Sequence, residues 1–527
     1  MIAFLKNRWL LIIVLLVFTI LKLPHLSYPF YWDESWPYAS GVIRMYEHGP
    51  SLMPGAIDGE LSRGHPLMFH FLTSLWMKVF GTSHIAMHTF PLFIAILFLI
   101  AIHEAGLRLF DKQVAAAALL LVAFQQIYFV QSSFVLLEVL LAFLAFVSVY
   151  FYVTKRYLLA AIALTMLYYT KESGMMVGLV LGIDAIIGLF GKQKPAKEKL
   201  YGILALGTPI IAIALFFVLQ KQVSGWYVLP LYSNGLEESW PAYYEKIRSA
   251  SKVCFRDDLR KYFFALLLLL SVIAAIKNRK PAMLSMFIAL PVVALLCSDS
   301  YHWLLPNYLT VSLLPVVLLF VVYAMFLITG YTNTLQKRFV LLQICVVIVF
   351  FYYTAINMFF IDRYLLLAFV PVLFIATIYL TSIVRKINPK LFVPVLIIVL
   401  AIEAYGYKKE IGLSDAKIGA FDGLYVQQAS MDFIEKNNWK NKYISVYENL
   451  QMLRLTDTTT GFINDNTPYK KVLWGIKPET EIVCLDNIEN NRAVDSSTSL
   501  KLDTNFKLVF RTQKGIAWAE VYLKKDR

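Results

Sequence analysis

Charge is scarce in this chain. Asp, Glu, Lys and Arg make up 16% of its 527 residues, and 59% are hydrophobic. A soluble domain carries about 25% charged residues and about 45–50% apolar ones. A globular soluble enzyme with a single anchor is therefore excluded. Cysteine is scarcer still, with four residues, at positions 254, 297, 345 and 484. None of their spacings is that of a metal-binding motif. Low-complexity tracts and solenoid repeats are absent. The formal net charge is +14, yet the Lys and Arg residues fall in short clusters between apolar runs. No continuous basic stripe could follow a phosphate backbone, so nucleic acid is not an expected partner. The first apolar run, Trp9 to Leu23, lacks a small-residue cleavage site and reads as a retained helix, not a signal peptide.

What remains is a polytopic membrane protein. A span needs about 20 predominantly apolar residues. Candidate helices lie near 9–24, 84–104, 114–131, 133–153, 157–171, 174–190, 200–219, 260–276, 281–297, 305–329, 338–356, 365–384 and 391–407, about thirteen spans in all. Basic clusters (Lys6/Arg8, Arg108/Lys112, Lys155/Arg156, Lys192 to Lys199, Lys277 to Lys280, Lys337/Arg338, Arg385 to Lys390) occupy every second connection. That alternation marks those connections as cytoplasmic. The first loop, 25–83, the segment 220–259 and the C-terminus then lie outside. A helix over Leu67 to Phe80, introduced by Pro66, is expected to lie along the interface.

Residues 1–407 thus form a transmembrane domain, and 408–527 change character to polar. Within the latter, Val426 to Asn438 is helix-like. Tyr443 to Tyr447, Glu481 to Leu485, Phe506 to Arg511 and Ile516 to Leu523 are strand-like. The fold class is an all-α polytopic membrane protein with a small extracytoplasmic α/β domain. Cys254 and Cys484 share the outer side and could pair if the fold brings them close.

The unusual polar residues collect on that outer face. Asp33-Glu34 follows the first helix in Tyr31-Trp32-Asp33-Glu34, crowded by aromatic residues. A carboxylate beside apolar walls suits a general base or a metal ligand. The plainer reading is a solvated pair, or a salt bridge to Arg44 or Arg63. Ser62-Arg63-Gly64-His65-Pro66-Leu67 offers Arg63 and His65 for an anion, and His65 also for a metal. Glu138 is expected about one turn inside an apolar helix, where a lone carboxylate is costly and faces a polar cavity or a partner. Lys171, beside Glu172 in Thr170-Lys171-Glu172-Ser173-Gly174, and Arg363, beside Tyr364, break the positive-inside pattern. Both are candidate phosphate ligands, with snorkelling as the alternative. Asp299-Ser300-Tyr301-His302 adds a weaker candidate in His302. Glu34, His65 and His302 are the candidate ligands should a divalent metal be used.

Carboxylates for acid/base work and cations for an anion, at one depth on one side, suit a lipid-phosphate donor. In their order these motifs resemble those of the membrane glycosyltransferases with the GT-C fold. More narrowly, they resemble the protein O-mannosyltransferase and aminoarabinose (lipid A) transferase superfamily. The motifs are Tyr31 to Glu34, Gly64 to Leu67, Trp76 to Gly81, Glu138, Thr170 to Gly174, Tyr301 to Pro306 and Arg363 to Leu366. Leu67 stands where a second Pro is common, and Glu138 where Asp is common.

The resemblance implies an inverting transferase of a bacterial inner membrane, working on its outer face. A hexose or pentose would move from a polyprenyl-phosphate donor to a hydroxyl of lipid A, protein or polysaccharide. It implies Asp33 as general base, with Lys171 and Arg363 stabilising the leaving phosphate. Glu34, His65 and Glu138 would position substrates or bind a metal. Two other readings remain at this point: a transferase using a lipid-diphosphate oligosaccharide, and a flippase of lipid-linked sugars, which needs polar residues at several depths.

Overall fold

A computed structural model of the protein describes residues 8–190, 195–230, 239–278, 331, 333–357, 360–465, 467–488, 502 and 504–525. The expected spans 281–297 and 305–329, the motif Tyr301 to Pro306, His302 and Cys297 lie outside the described residues.

The chain enters through α1 (Trp9–Lys22), turns at Trp32–Glu34, and lays down α2 (Ser40–His48) and the expected α3 (Met68–Phe80). The bundle follows as α4 (His84–Leu109), α5 (Lys112–Ala123), α6 (Gln126–Gln131), α7 (Glu138–Val153), α8 (Tyr157–Thr170), α9 (Met175–Phe190) and α10 (Ala196–Ser224). It continues with α11 (Trp240–Phe255), α12 (Arg260–Asn278), α13 (Thr334–Ile356), α14 (Leu366–Ile387) and α15 (Phe392–Lys409).

The count of about thirteen spans is not confirmed. Among the described residues, six helices are long and apolar enough to cross a membrane: α4, α9, α10, α13, α14 and α15, some with a flanking turn. The bent pair α11/α12 would make a seventh, and α1, α5, α7 and α8 are shorter apolar helices.

Two expected boundaries move. The run 114–131 is broken at Phe124-Gln125, where the backbone of Gln125 turns extended. Its side-chain amide then donates to Glu403 on α15 at 2.5 Å, and that of Gln126 donates to the Gly406 carbonyl at 3.3 Å. Satisfying buried amides across helices outweighs one unbroken helix. The helix expected from 133 starts only at Glu138, so that residue opens α7 and is not a turn inside it.

The hub is α14. It is apolar all round, as a helix without a wet face must be, and all of its spanning window is buried. It packs against α5, α7, α12 and α13. The peripheral helices instead expose large aliphatic residues: Ile12, Ile13 and Leu16 on α1, Ile210, Ile211 and Leu215 on α10, Ile397 and Ile398 on α15. In water such stripes would aggregate. Here they form the lipid-facing surface of a multi-pass membrane protein. Ion pairs close the basic connections, with Arg8 to Glu104 at 2.8 Å, Lys155 to Glu198 at 2.8 Å and Arg385 to Asp111 at 2.6 Å.

Beyond α15, α16 (Gly419–Lys436) and α17 (Asn449–Thr456) accompany a five-stranded sheet. Its strands are β1 (Ile444–Val446), β2 (Val472–Trp474), β3 (Ile482–Asp486), β4 (Phe506–Lys514) and β5 (Ala517–Lys524), in the order β2-β1-β3-β5-β4. The first three are parallel, and β3, β5 and β4 are antiparallel. The α/β reading holds. The helix begins seven residues before the expected Val426, and β2 is an addition. Cys254 and Cys484 do not form a disulfide with each other.

Candidate functional site

The local chain path separates the acidic pair. Tyr31 is extended and Trp32 adopts a left-handed φ of 46°, after which Trp32–Glu34 forms one 3-10 turn. A left-handed aromatic residue is uncommon and strained. Its effect is to send Asp33 and Glu34 to different partners.

Glu34 goes inward. Fully buried, its carboxylate meets His88 Nε2 at 2.8 Å and accepts the Val135 N–H at 2.6 Å and the Tyr31 N–H at 3.0 Å. His88 Nδ1 stands 2.9 Å from the Leu26 carbonyl. This set ties the loop after α1 to α4 and to the turn before α7. Glu34 is thereby held by protein partners on both carboxylate oxygens.

Asp33 goes to the charge cluster, its side chain one-third exposed at 34%. It pairs with Arg363, which stands in the 3-10 turn Asp362–Leu365 at the foot of α14 and is completely buried. The same guanidinium pairs with Asp415 through Nη1 and lies 3.5 Å from Glu138 Oε1 through Nε. Lys171 Nζ is 3.8 Å from the same Glu138 oxygen and 4.0 Å above the Tyr364 ring. Two cations thus face three carboxylates. Among the described residues neither oxygen of Glu138 has a hydrogen-bond partner, an expensive arrangement for a carboxylate only 1% exposed.

Two members of this neighbourhood had no signal in the sequence. Asp415 lies in the polar connection between α15 and α16. Burial lifts its carboxyl to about 6, against the downward pull of Arg363, with Asp33 and Glu138 pushing further up. Tyr38 is buried, and burial first and Glu138 second raise its phenol above the ordinary range, so it stays protonated. Its ring stacks on His70 at 6.0 Å. Burial lowers His70 to about 3, so this ring stays neutral.

The remaining candidates ring the cluster. His65 Nδ1 stands 2.8 Å from Glu172 Oε2, joining the Arg63 segment to the Lys171 turn. That turn needs Gly174, because a Cβ there would lie 2.7 Å from Leu167 Cγ. Arg63, at a left-handed φ of 53°, lies 4.8 Å over the Trp36 ring.

Of the candidate metal ligands, Glu34 pairs with His88 and His65 with Glu172. Among the described residues no group of three or more His, Cys, Asp or Glu side chains could hold a metal ion. Arg363, expected to meet phosphate, is enclosed by carboxylates, which leaves Lys171 as the more available cation.

Comparison with known proteins agrees with this architecture. Residues 7–229 match the family model described as dolichyl-phosphate-mannose-protein mannosyltransferase. No curated protein sequence matches the chain significantly. Among solved structures, ArnT from Cupriavidus metallidurans in the apo state is 12% identical, with 98% of each chain covered and a TM-score of 0.51. The same protein bound to undecaprenyl phosphate is also 12% identical, with 98% of each chain covered and a TM-score of 0.50. At that identity the likeness establishes a shared fold. The match over residues 7–229 and the shared GT-C fold bear out the resemblance to this superfamily.

Proposed function

We propose that this multi-pass protein, of GT-C fold and with a mannosyltransferase-family signature over residues 7–229, is an inverting glycosyltransferase. It would move a hexosyl or pentosyl unit from a polyprenyl-phosphate donor to a hydroxyl acceptor at the outer face of a bacterial inner membrane. Lipid A, protein and polysaccharide are the acceptor classes. The lipid bound in the ArnT complex, undecaprenyl phosphate, supports a polyprenyl phosphate as the lipid here.

One observation carries the reading. Of the three carboxylates around Arg363, only Asp33 is open to an incoming hydroxyl, at 34% exposure against 1% for both Glu138 and Asp415. Asp33 takes the acceptor's O–H proton. The resulting oxygen attacks the anomeric carbon, and the bond from that carbon to the phosphate oxygen breaks, its electron pair leaving with the lipid phosphate. The anion formed needs a cation and not a proton. Lys171, cradled by Tyr364 and Glu138, supplies it, with Arg363 behind. Glu138, in ion pairs with Lys171 and Arg363 but with no hydrogen bond to either oxygen among the described residues, suits the hydroxyls of the sugar. The C-terminal domain, on the acceptor side, serves docking.

The test is release of free lipid phosphate from radiolabelled polyprenyl-phosphate sugars by the purified protein with envelope acceptors. Turnover supports the reading. Turnover only with a lipid-diphosphate oligosaccharide moves the chain to the other donor class. Movement of a lipid-linked sugar across vesicles without sugar transfer makes it a flippase.

A further inference from the structure

The connection from α15 to α16 joins the charge cluster through Asp415. In it, the Tyr31 hydroxyl donates to the Leu413 carbonyl at 2.5 Å, the Gln131 amide donates to the Asp415 carbonyl at 2.7 Å, and the Ile418 N–H donates to Gln126 Oε1 at 3.2 Å. Tyr31 precedes Asp33 by two residues, and Gln131 ends α6. The segment is therefore fastened to the same outer helix ends that build the site. From it Asp415, 1% exposed, reaches Arg363 through Oδ2, while its Oδ1 has no hydrogen-bond partner. The next element, α16, packs on β4 and β5.

A guanidinium can engage one carboxylate in two parallel bonds, and a carboxylate so held is a weak base. Arg363 does not do this with Asp33, because its Nη1 is taken by Asp415 and only Nη2 reaches the base.

We propose that Asp415 is a positioning residue for sugar transfer: by holding one arm of Arg363 it keeps the pairing of Arg363 with Asp33 partial, so that the carboxylate can accept the acceptor's proton. The C-terminal domain thereby sets the readiness of the base through the chain that carries it. This rests on the reading of Asp33 as the base. Removing the Asp415 charge lets the guanidinium close on Asp33, which weakens the base without touching the donor.

The test is steady-state transfer from a polyprenyl-phosphate sugar by wild type, Asp415→Asn, Arg363→Lys and the double variant. The proposal predicts that Asp415→Asn lowers kcat at least tenfold while KM for the donor stays within twofold. In the Arg363→Lys background, which lacks the fork, Asp415→Asn causes no further loss, the non-additivity expected of residues acting through one another.

An unchanged kcat in Asp415→Asn, or full additivity with Arg363→Lys, overturns the proposal while transfer itself stands. Absence of transfer in wild type on every donor overturns the transferase reading and the positioning role together. If Asp415→Asn does not fold, Gln131→Ala frees the segment by one bond. A lowered kcat at unchanged KM then supports the proposal, and an unchanged kcat overturns it.

Discussion

Arg363 and Asp33, 330 positions apart in the chain, form one ion pair that joins the foot of the buried helix α14 to the turn after α1. Because Arg363 is fully buried among Asp33, Glu138 and Asp415, its removal leaves carboxylates facing one another. Arg363→Ala is expected to destabilise the protein by about 3–5 kcal/mol, the usual cost of orphaning buried charge. Denaturant unfolding in detergent measures this, and a loss under about 1 kcal/mol would mean water reaches the cluster.

Glu34 and His88 hold the loop. Glu34→Ala strips partners from His88 and from the backbone N–H groups of Tyr31 and Val135. At about 1–3 kcal/mol per orphaned buried group, the folded yield and melting temperature should fall well below wild type. Activity per folded molecule should fall less than for Asp33→Asn. The two carboxylates showing equal losses of kcat with intact folding would contradict the division between them.

Lys171 is the available cation. Lys171→Ala should raise KM for the lipid donor about tenfold or more, the worth of one charge-assisted hydrogen bond of ~1.5–3 kcal/mol. The affinity for free polyprenyl phosphate should fall in step. Undiminished binding of polyprenyl phosphate to the variant, followed by tryptophan fluorescence, would remove Lys171 from the phosphate site.

Asp415 gives stability a pH dependence. Its carboxyl is raised from 3.8 to about 6 by burial, with Arg363 pulling down and Asp33 and Glu138 pushing up. Across that window the folded protein keeps a proton that the unfolded chain has released, so this contribution to stability falls as pH rises towards 6. Wild type should therefore gain stability relative to Asp415→Asn as pH is lowered from about 6 to about 4. Parallel melting curves for the two proteins over that range would show that Asp415 does not titrate there.

Much of this was legible in the sequence for physical reasons. Arg363 and Lys171 stood out because cations in connections read from the charge pattern as outer break that pattern, and Glu138 because a carboxylate in an apolar run needs a partner. Only the family resemblance told Asp33 and Glu34 apart, since adjacency in sequence hides the left-handed turn at Trp32 that parts them. Asp415 was invisible, being one acid in a polar connection whose partner lies 52 positions away. The break between α5 and α6 was hidden by the apolar residues on both sides of Gln125-Gln126. There the amides of Gln125 and Gln126 turn to donate to Glu403 and the Gly406 carbonyl on α15. Strand β2, three residues long and mostly half-exposed, carries too little pattern to be read.

The central claim is that Asp33 is the base of a lipid-phosphate-sugar transferase. The most direct measurement is release of free polyprenyl phosphate under saturating donor and acceptor by wild type and Asp33→Asn, with folding of both verified by thermal unfolding. The account predicts turnover in wild type and a kcat lower by roughly 10²–10⁴-fold in the variant, the range for loss of a general base. Equal kcat in the two proteins would contradict it.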